Sequence, residues 1–326
     1  MHTRMTNGLC LAVAVLLLSI VYAQSWAAGA EGDRIFVITA LPVKDEILVG
    51  EPLFVKVTLQ NKSDLPQRLR NLSVYEGISQ LPWRLEIAKP DENLREIDLF
   101  RLDAFPVHRD EKTLVSLAPG QKLTDYLTIW FAAHGDVPEE RSLVFRRGGQ
   151  FRFRIVFGIQ REGDPLDQPA RRIAAEGKVR LSGRPKGFTE MVRGLRAIML
   201  DDSKVAYQHA KKLHLLLGVL KDSPYARFVK WQIVRSYPTD GQDERGNDVL
   251  EGPGGREEAG RLMALADDLL GGGGQEESPL VRDALTMKGI ALLVVGQKAK
   301  AQEICEELER RYRRSAGIRK LRAWAY

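Results

Sequence analysis

From Arg34 to about Ser182 the apolar residues recur at every second position, the period of a strand with one buried face. In the run Leu53 to Gln60, residues Leu53, Val55, Val57 and Leu59 share one side, and Lys56, Thr58 and Gln60 share the other. Phe151, Phe153, Ile155 and Phe157 repeat the alternation, with Arg152 and Arg154 toward water and the Gly148-Gly149 pair as a preceding turn. The same reading predicts strands over Arg34 to Ala40, Leu69 to Tyr75, Trp83 to Ile87, Ile97 to Leu102, Lys112 to Leu117, Leu123 to Phe131 and Lys178 to Leu181. Turn clusters such as Asn61-Lys62-Ser63-Asp64, Lys89-Pro90-Asp91 and Ala118-Pro119-Gly120 separate them. Many short strands with no helix between them predict an antiparallel β-sandwich.

After Arg184-Pro185-Lys186-Gly187 the period becomes helical. Val205, Tyr207, Ala210, Leu213, Leu216, Leu217 and Leu220 recur at three- and four-residue steps, as do Leu262, Leu265, Ala266, Leu269 and Leu270. Ser223-Pro224 and Ser278-Pro279 each predict a Ser N-cap before a Pro at the first helical position, where a missing N–H costs nothing. Ser-Pro-Tyr-Ala-Arg at 223–227, Ser-Pro-Leu-Val-Arg at 278–282 and, more loosely, Ser-Ala-Gly-Ile-Arg at 315–319 read as one element used three times.

Two resemblances follow from these residues. Val49-Gly50-Glu51-Pro52 entering a strand that ends Leu59-Gln60-Asn61, then Leu117-Ala118-Pro119-Gly120, then Gly149-Gln150-Phe151-Arg152-Phe153, resembles the immunoglobulin-like domains of bacterial extracytoplasmic proteins, without the cysteine pair of antibody domains. The helical half, about Phe188 to Tyr326, resembles tetratricopeptide repeats. Ser278 and Ser315 lie 37 residues apart, near that family's 34-residue unit; Ser223 and Ser278 lie 55 apart, lengthened by the loop Pro238 to Gly255. Gly289 and Ala301 stand twelve residues apart, where the family places a Gly and a small residue at the helix crossing. Lys288, in place of a large apolar residue, and Arg313, in place of a Pro, depart from the pattern. The resemblances imply a multidomain chain, β then α: an immunoglobulin-like antiparallel sandwich over 29–183, followed by tetratricopeptide-like helical hairpins over 184–326. Repeats of this kind bind peptides and protein segments.

The N-terminus reads as a secretory signal peptide over 1–27. His2 and Arg4 form a short basic region, and the 13-residue apolar run Leu9 to Val21 is shorter than the about 20 residues of a membrane-spanning helix. Ser25-Trp26-Ala27 suits signal peptidase, with cleavage after Ala27 and Ala23 as the second choice. The expected location is periplasmic or extracellular, in soluble form after cleavage. Cys10 leaves with the peptide, so Cys305 remains alone and no internal disulfide forms.

Catalytic signatures do not emerge. The chain has no HExxH, no G-x-S-x-G and no phosphate-cradling G-x-x-x-x-G-K-[ST], and Gly271 to Gly274 follows a helix instead of opening one. Cys305 lies on the apolar stripe Ala301, Ile304, Cys305, Leu308, Tyr312 and reads as a core thiol. His108 and His134 sit near Asp110 and Asp136 in loops, while His209 and His214 are five apart on one helix and diverge. The segment Asp240 to Glu251 covers twelve positions, like an EF-hand loop, but carries Arg245 at position six and Gln242 at position three, which reads as a solvated insertion. No cofactor and no metal is expected.

Charge adds one feature. The chain carries a formal +6, and Gln297 to Tyr326 alone holds nine Lys or Arg against four Glu. Arg310, Arg311, Arg313, Arg314, Arg319, Lys320 and Arg322 form a basic block that suits an anionic membrane surface, an acidic polymer or an acidic protein partner. An exported location argues against nucleic acid. The sequons at Asn61 and Asn71 matter only in a eukaryotic secretory route. The sequence therefore predicts a non-enzymatic exported protein that binds a protein partner or acts as a scaffold through a helical-repeat surface. The alternative is an immunoglobulin-like binding or inhibitor module directed at a protease or glycan. A third reading is a hydrolase with its site at the domain junction, where His134, Asp136 and the acidic loop would converge.

Overall fold

A computed structural model describes residues 35–70, 82–97, 99, 115–131, 143–164, 171–199, 206–240, 250, 252, 254–272, 277–312, 317–318 and 321–322. Strands come first and helices follow. The strands are β1 (Phe36–Pro42), β2 (Glu46–Leu48), β3 (Leu53–Asn61), β4 (Gln67–Leu69), β5 (Trp83–Ala88), β6 (Arg95–Ile97), β7 (Val115–Leu117), β8 (Lys122–Ile129), β9 (Gly149–Ile159) and β10 (Arg171–Ser182). The helices are α1 (Phe188–Met199), α2 (Ala206–Leu220), α3 (Ala226–Asp240), α4 (Gly255–Gly271), α5 (Pro279–Val294) and α6 (Lys298–Arg311).

Three strands form one sheet in the order β1-β3-β8, and five form another in the order β2-β10-β9-β5-β6. The opening segment changes sheets. β1 runs antiparallel to β3 from Phe36 opposite Asn61 to Pro42 opposite Val55, and after a short turn β2 joins β10 in parallel, with Ile47 opposite Leu181. The period-two reading holds on β3, where Leu53, Val55, Val57 and Leu59 are fully buried. β2 is too short to have shown a period. The predicted strands Arg34 to Ala40, Trp83 to Ile87 and Leu123 to Phe131 match β1, β5 and β8 to within about two residues, whereas Lys178 to Leu181 covers only the end of β10, which begins at Arg171. Most of Leu69 to Tyr75 and of Ile97 to Leu102, and the first half of Lys112 to Leu117, fall outside the described residues.

Asn61 is more than a turn residue. Its buried side chain donates to the carbonyls of Leu65 and Leu117, each at 2.9 Å, and accepts from the Ser63 amide and hydroxyl at 3.0 and 2.7 Å. Those bonds satisfy both ends of the amide and leave no room for a glycan on that nitrogen. Asn71 lies outside the described residues.

Neighbouring helices pack in sequence: α1 on α2, α2 on α3, α4 on α5 and α5 on α6, with α3 also meeting α4 and α5. At Gly289 a Cβ would stand 2.8 Å from Leu321 and 3.3 Å from Ile304, so α5 and its neighbours approach closely only because that side chain is missing. Ala301 of α6 is buried as well. Ser278 caps α5 as its sequence predicts, accepting from the Val281 amide, with Pro279 at the first position. Ser223 differs. The helix begins three residues later, at Ala226; the Ser223 hydroxyl accepts from the Tyr225 amide at 3.3 Å and also donates to the Lys186 carbonyl at 2.8 Å. The backbone of α3 also continues through Pro238 to Asp240, beyond the predicted start of the loop. Lys288 is accounted for by an ion pair with Asp267 at 2.7 Å.

One continuous apolar cluster runs from Phe36 in β1 through both sheets and the helices to Leu321. Among the described residues no helix is long and apolar enough to cross a membrane.

Candidate functional site

The turn Val49-Gly50-Glu51-Pro52, between β2 and β3, is where strands and helices meet. Gly50 has φ +94°, a backbone region open chiefly to Gly, and a Cβ there would stand 2.8 Å from Met191 and 2.9 Å from Phe188 of α1. The carbonyl of buried Val49 accepts from the hydroxyl of Tyr225, and that of Gly50 accepts from the indole N–H of Trp130 at 2.8 Å. Both backbone carbonyls are thus satisfied by helix-side or seam aromatics instead of by a strand ladder. Glu51 closes its own turn, its carboxylate accepting from the Leu48 amide at 3.0 Å.

Aromatic rings fill the seam. Trp130, just after β8, stacks on Trp231 of α3 with centroids 6.1 Å apart and planes 28° apart. Phe54 meets Trp231 edge-on at 5.2 Å, and Phe228 meets Trp130 at 6.2 Å. Phe54 belongs to the side of β3 that the alternation assigns to water; the helices cover that end of the sheet instead.

Two carboxylates anchor the seam's polar groups. Asp283 of α5 accepts from the Trp231 indole at 3.0 Å and from Arg282 at 2.9 Å, and Arg235 approaches at 3.5 Å while lying over the Trp231 ring. Burial pushes the Asp283 pKa up, but the two arginines and these hydrogen bonds outweigh it and hold the carboxyl below its ordinary value. Glu277, just before α5, accepts from Lys56 of β3 at 2.9 Å and from the Tyr126 hydroxyl of β8 at 2.7 Å. Burial raises its pKa too, and the Lys56 and Tyr126 bonds reverse the effect. Burial first, and then the bond to Glu277, push the Tyr126 hydroxyl well above the ordinary tyrosine value, so it remains a donor. Tyr312, after α6, faces Tyr126 at 6.0 Å, donates to the Ser278 carbonyl at 3.2 Å and accepts from its amide at 3.1 Å.

Beside this seam lies a small cleft of about 30 Å³. Val43, Lys44, Ile47, Glu51, Pro52 and Phe54 line it from the strands; Arg227, Phe228, Leu269, Ser278, Leu280 and Val281 line it from α3, α4 and α5. Most of its lining is apolar, and its charged groups are Lys44, Glu51 and Arg227.

Of the basic block singled out in the sequence, Arg310 is exposed on α6, Arg311 pairs with Glu307 at 3.0 Å, and Arg322 pairs with Glu309. Arg313, Arg314, Arg319 and Lys320 lie outside the described residues, as do His108, Asp110, His134, Asp136 and nearly all of the acidic segment 240–251. His209 and His214 stand on α2, apart from the cleft. Cys305 is buried in α6, where burial and then the charge of Glu309 push its thiol pKa up. Among the described residues no cluster of three or more His, Cys, Asp or Glu side chains forms a metal site. The seam residues Trp130, Tyr225, Trp231, Glu277 and Asp283 carry no local motif; the one signal for them was Phe54 on a supposedly wet strand face.

No protein-family model and no curated protein matches the chain. Solved structures match parts of it. A β-glucosidase from Erythrobacter marinus is 14% identical over 45% of this chain, which spans 15% of the enzyme, with a TM-score of 0.25. A sporulation control protein from Bacillus subtilis is 14% identical over 50% of this chain and 56% of its own, with a TM-score of 0.25. A CARDB domain from Pyrococcus furiosus, in complex with di-metal ions, is 11% identical over 47% of this chain and 95% of its own, with a TM-score of 0.21.

Proposed function

We propose that this chain is a non-enzymatic exported binding protein, in which an immunoglobulin-like β half braces a tetratricopeptide-like helical half against a protein partner. The seam carries this reading: aromatic stacking and satisfied polar groups lock strands to helices and leave a cleft lined by both. A space of about 30 Å³ takes roughly two water-sized groups, which suits the anchoring of one side chain more than the enclosure of a substrate. The strand order supports the immunoglobulin-like half, since β1 pairs with β3 in one sheet and β2 crosses to pair in parallel with the last strand of the other. The close crossing at Gly289 with buried Ala301 supports the repeat-like half. Export rests on residues 1–27, and N-terminal sequencing of the mature protein should start at Ala28; an intact N-terminus on protein recovered from the cytoplasm would remove the exported location, and one on membrane-bound protein would replace cleavage by an uncleaved anchor.

The binding reading is tested by placing a photocrosslinking amino acid at Lys44 or Val43, both on the cleft lining, with Glu176 on β10 as a control position. A discrete protein adduct from both cleft positions and none from the control is expected. Adducts from neither cleft position would overturn the proposal.

A further inference from the structure

We infer that the cleft at the seam receives the C-terminal residue of a polypeptide, its small aliphatic side chain on the apolar lining and its carboxylate on Arg227. This rests on the binding-protein reading above and names the chemistry recognised. Ile47, Pro52, Phe54, Phe228, Leu280 and Val281 supply apolar lining to the cleft. At about 30 Å³, room for roughly two water-sized groups, it suits a small aliphatic group better than an aromatic ring.

Charge selects the rest of the ligand. The Arg227 guanidinium lies over the Phe228 ring, 5.3 Å from its centroid, and Phe228 is itself packed against Trp130. A guanidinium held on a ring keeps its in-plane N–H groups free to meet the two oxygens of a carboxylate side by side. Among the described residues neither Arg227 nor Lys44 has an ion-pair partner, and Lys44 stands exposed in the turn between β1 and β2. Glu51, the third charged group, is turned toward the Leu48 amide. The lining therefore combines a positive excess with apolar surface. A terminal residue offers an aliphatic side chain and a carboxylate on one Cα. A side-chain carboxylate brings only methylenes that lead to the charge itself, and a phosphate brings no apolar group.

The test uses the whole mature protein and fluorescent pentapeptides. Gly-Ser-Gly-Gly-Val with a free carboxylate should bind at least tenfold more tightly than its C-terminal amide and than Gly-Ser-Gly-Gly-Phe. Arg227→Gln should erase the acid-over-amide preference and Lys44→Gln should weaken the acid several-fold, both with an unchanged melting temperature. Equal binding of acid and amide, no saturable binding of the acid up to millimolar concentration, or an undiminished preference in Arg227→Gln would each overturn the inference. So would competition by isobutyrate at concentrations matching the peptide, which would make the occupant a free acid. A partner crosslinked at Lys44 that still binds after its own C-terminus is extended would leave the binding-protein reading standing and remove this one.

Discussion

Trp130 and Trp231 stack across the seam, one ring delivered by the chain leaving β8 and the other by the middle of α3, with Trp231 fully buried. Each indole N–H is satisfied, Trp130 by the Gly50 carbonyl and Trp231 by Asp283. Removing the second ring would open a cavity and leave Asp283 short of a donor. Trp231→Ala should cost about 3–5 kcal/mol, the range for deleting a buried large aromatic, and should lower the strand and helix transitions together. Coincident unfolding by far-ultraviolet circular dichroism and tryptophan fluorescence is the expected result; helices that melt alone while the strands keep the wild-type midpoint would show that the seam carries little.

The junction Ser182 to Gly187 is tied down at several points. Arg184 donates to the Arg146 carbonyl at 2.8 Å and lies over the Phe188 ring, and Ser223 holds the Lys186 carbonyl. Trypsin should nick after Lys186 only slowly, and the fragments should still elute together by size exclusion until denaturant is added. Fragments that part in native buffer would mean that the two halves are independent bodies.

The sequence exposed what repeats locally. Strand alternation, the Ser278-Pro279 cap and the small residues Gly289 and Ala301 each show within a few positions, because each reflects a backbone period or a single contact distance. The seam was hidden because its parts lie far apart in the chain. Glu277 meets Lys56 across 221 positions and Tyr225 meets Val49 across 176. Val49-Gly50-Glu51-Pro52 stood out as strand punctuation, and nothing local marks its two carbonyls as docking points. Phe54 was the visible anomaly, a large apolar residue on the polar side of β3, and a partner surface is the physical reason for such a residue.

Acid should loosen the seam before it unfolds the rest. Glu277 and Asp283 both hold folded pKa values below their ordinary ones. Each therefore adds stability that is fully present above the unfolded values, about 4, and is lost as pH falls through the depressed folded values. Glu277→Gln should change neutral stability by no more than about 1 kcal/mol, since the Lys56 pair is partly exposed, and should flatten the fall in melting temperature between neutral pH and pH 3. Asp283→Asn should cost more, about 3–5 kcal/mol, because Arg235 and Arg282 lose their counter-charge in a buried setting. An acid limb identical to wild type in both variants would place the titrating groups elsewhere.

Basic residues at the C-terminal end divide into two groups, and salt should tell them apart. Arg311 is committed to Glu307 and lies over the Tyr312 ring, and Arg322 is committed to Glu309. Both guanidinium groups are thus already paired with a carboxylate of α6. The proposed contact with an anionic membrane, acidic polymer or acidic partner then falls to Arg310, Arg313, Arg314, Arg319 and Lys320. Exposed charges are screened over about 8–10 Å near physiological ionic strength, so binding to vesicles rich in anionic lipid should weaken steeply between low and physiological salt. Replacing Arg313, Arg314, Arg319 and Lys320 together by Gln should abolish that salt-dependent binding, with the melting temperature measured beside it to separate loss of the contact from loss of the fold. Arg311→Gln and Arg322→Gln should leave vesicle binding largely intact. Vesicle and partner binding that survives the fourfold replacement unchanged would reduce the block to the ordinary solvated charge of a terminal helix.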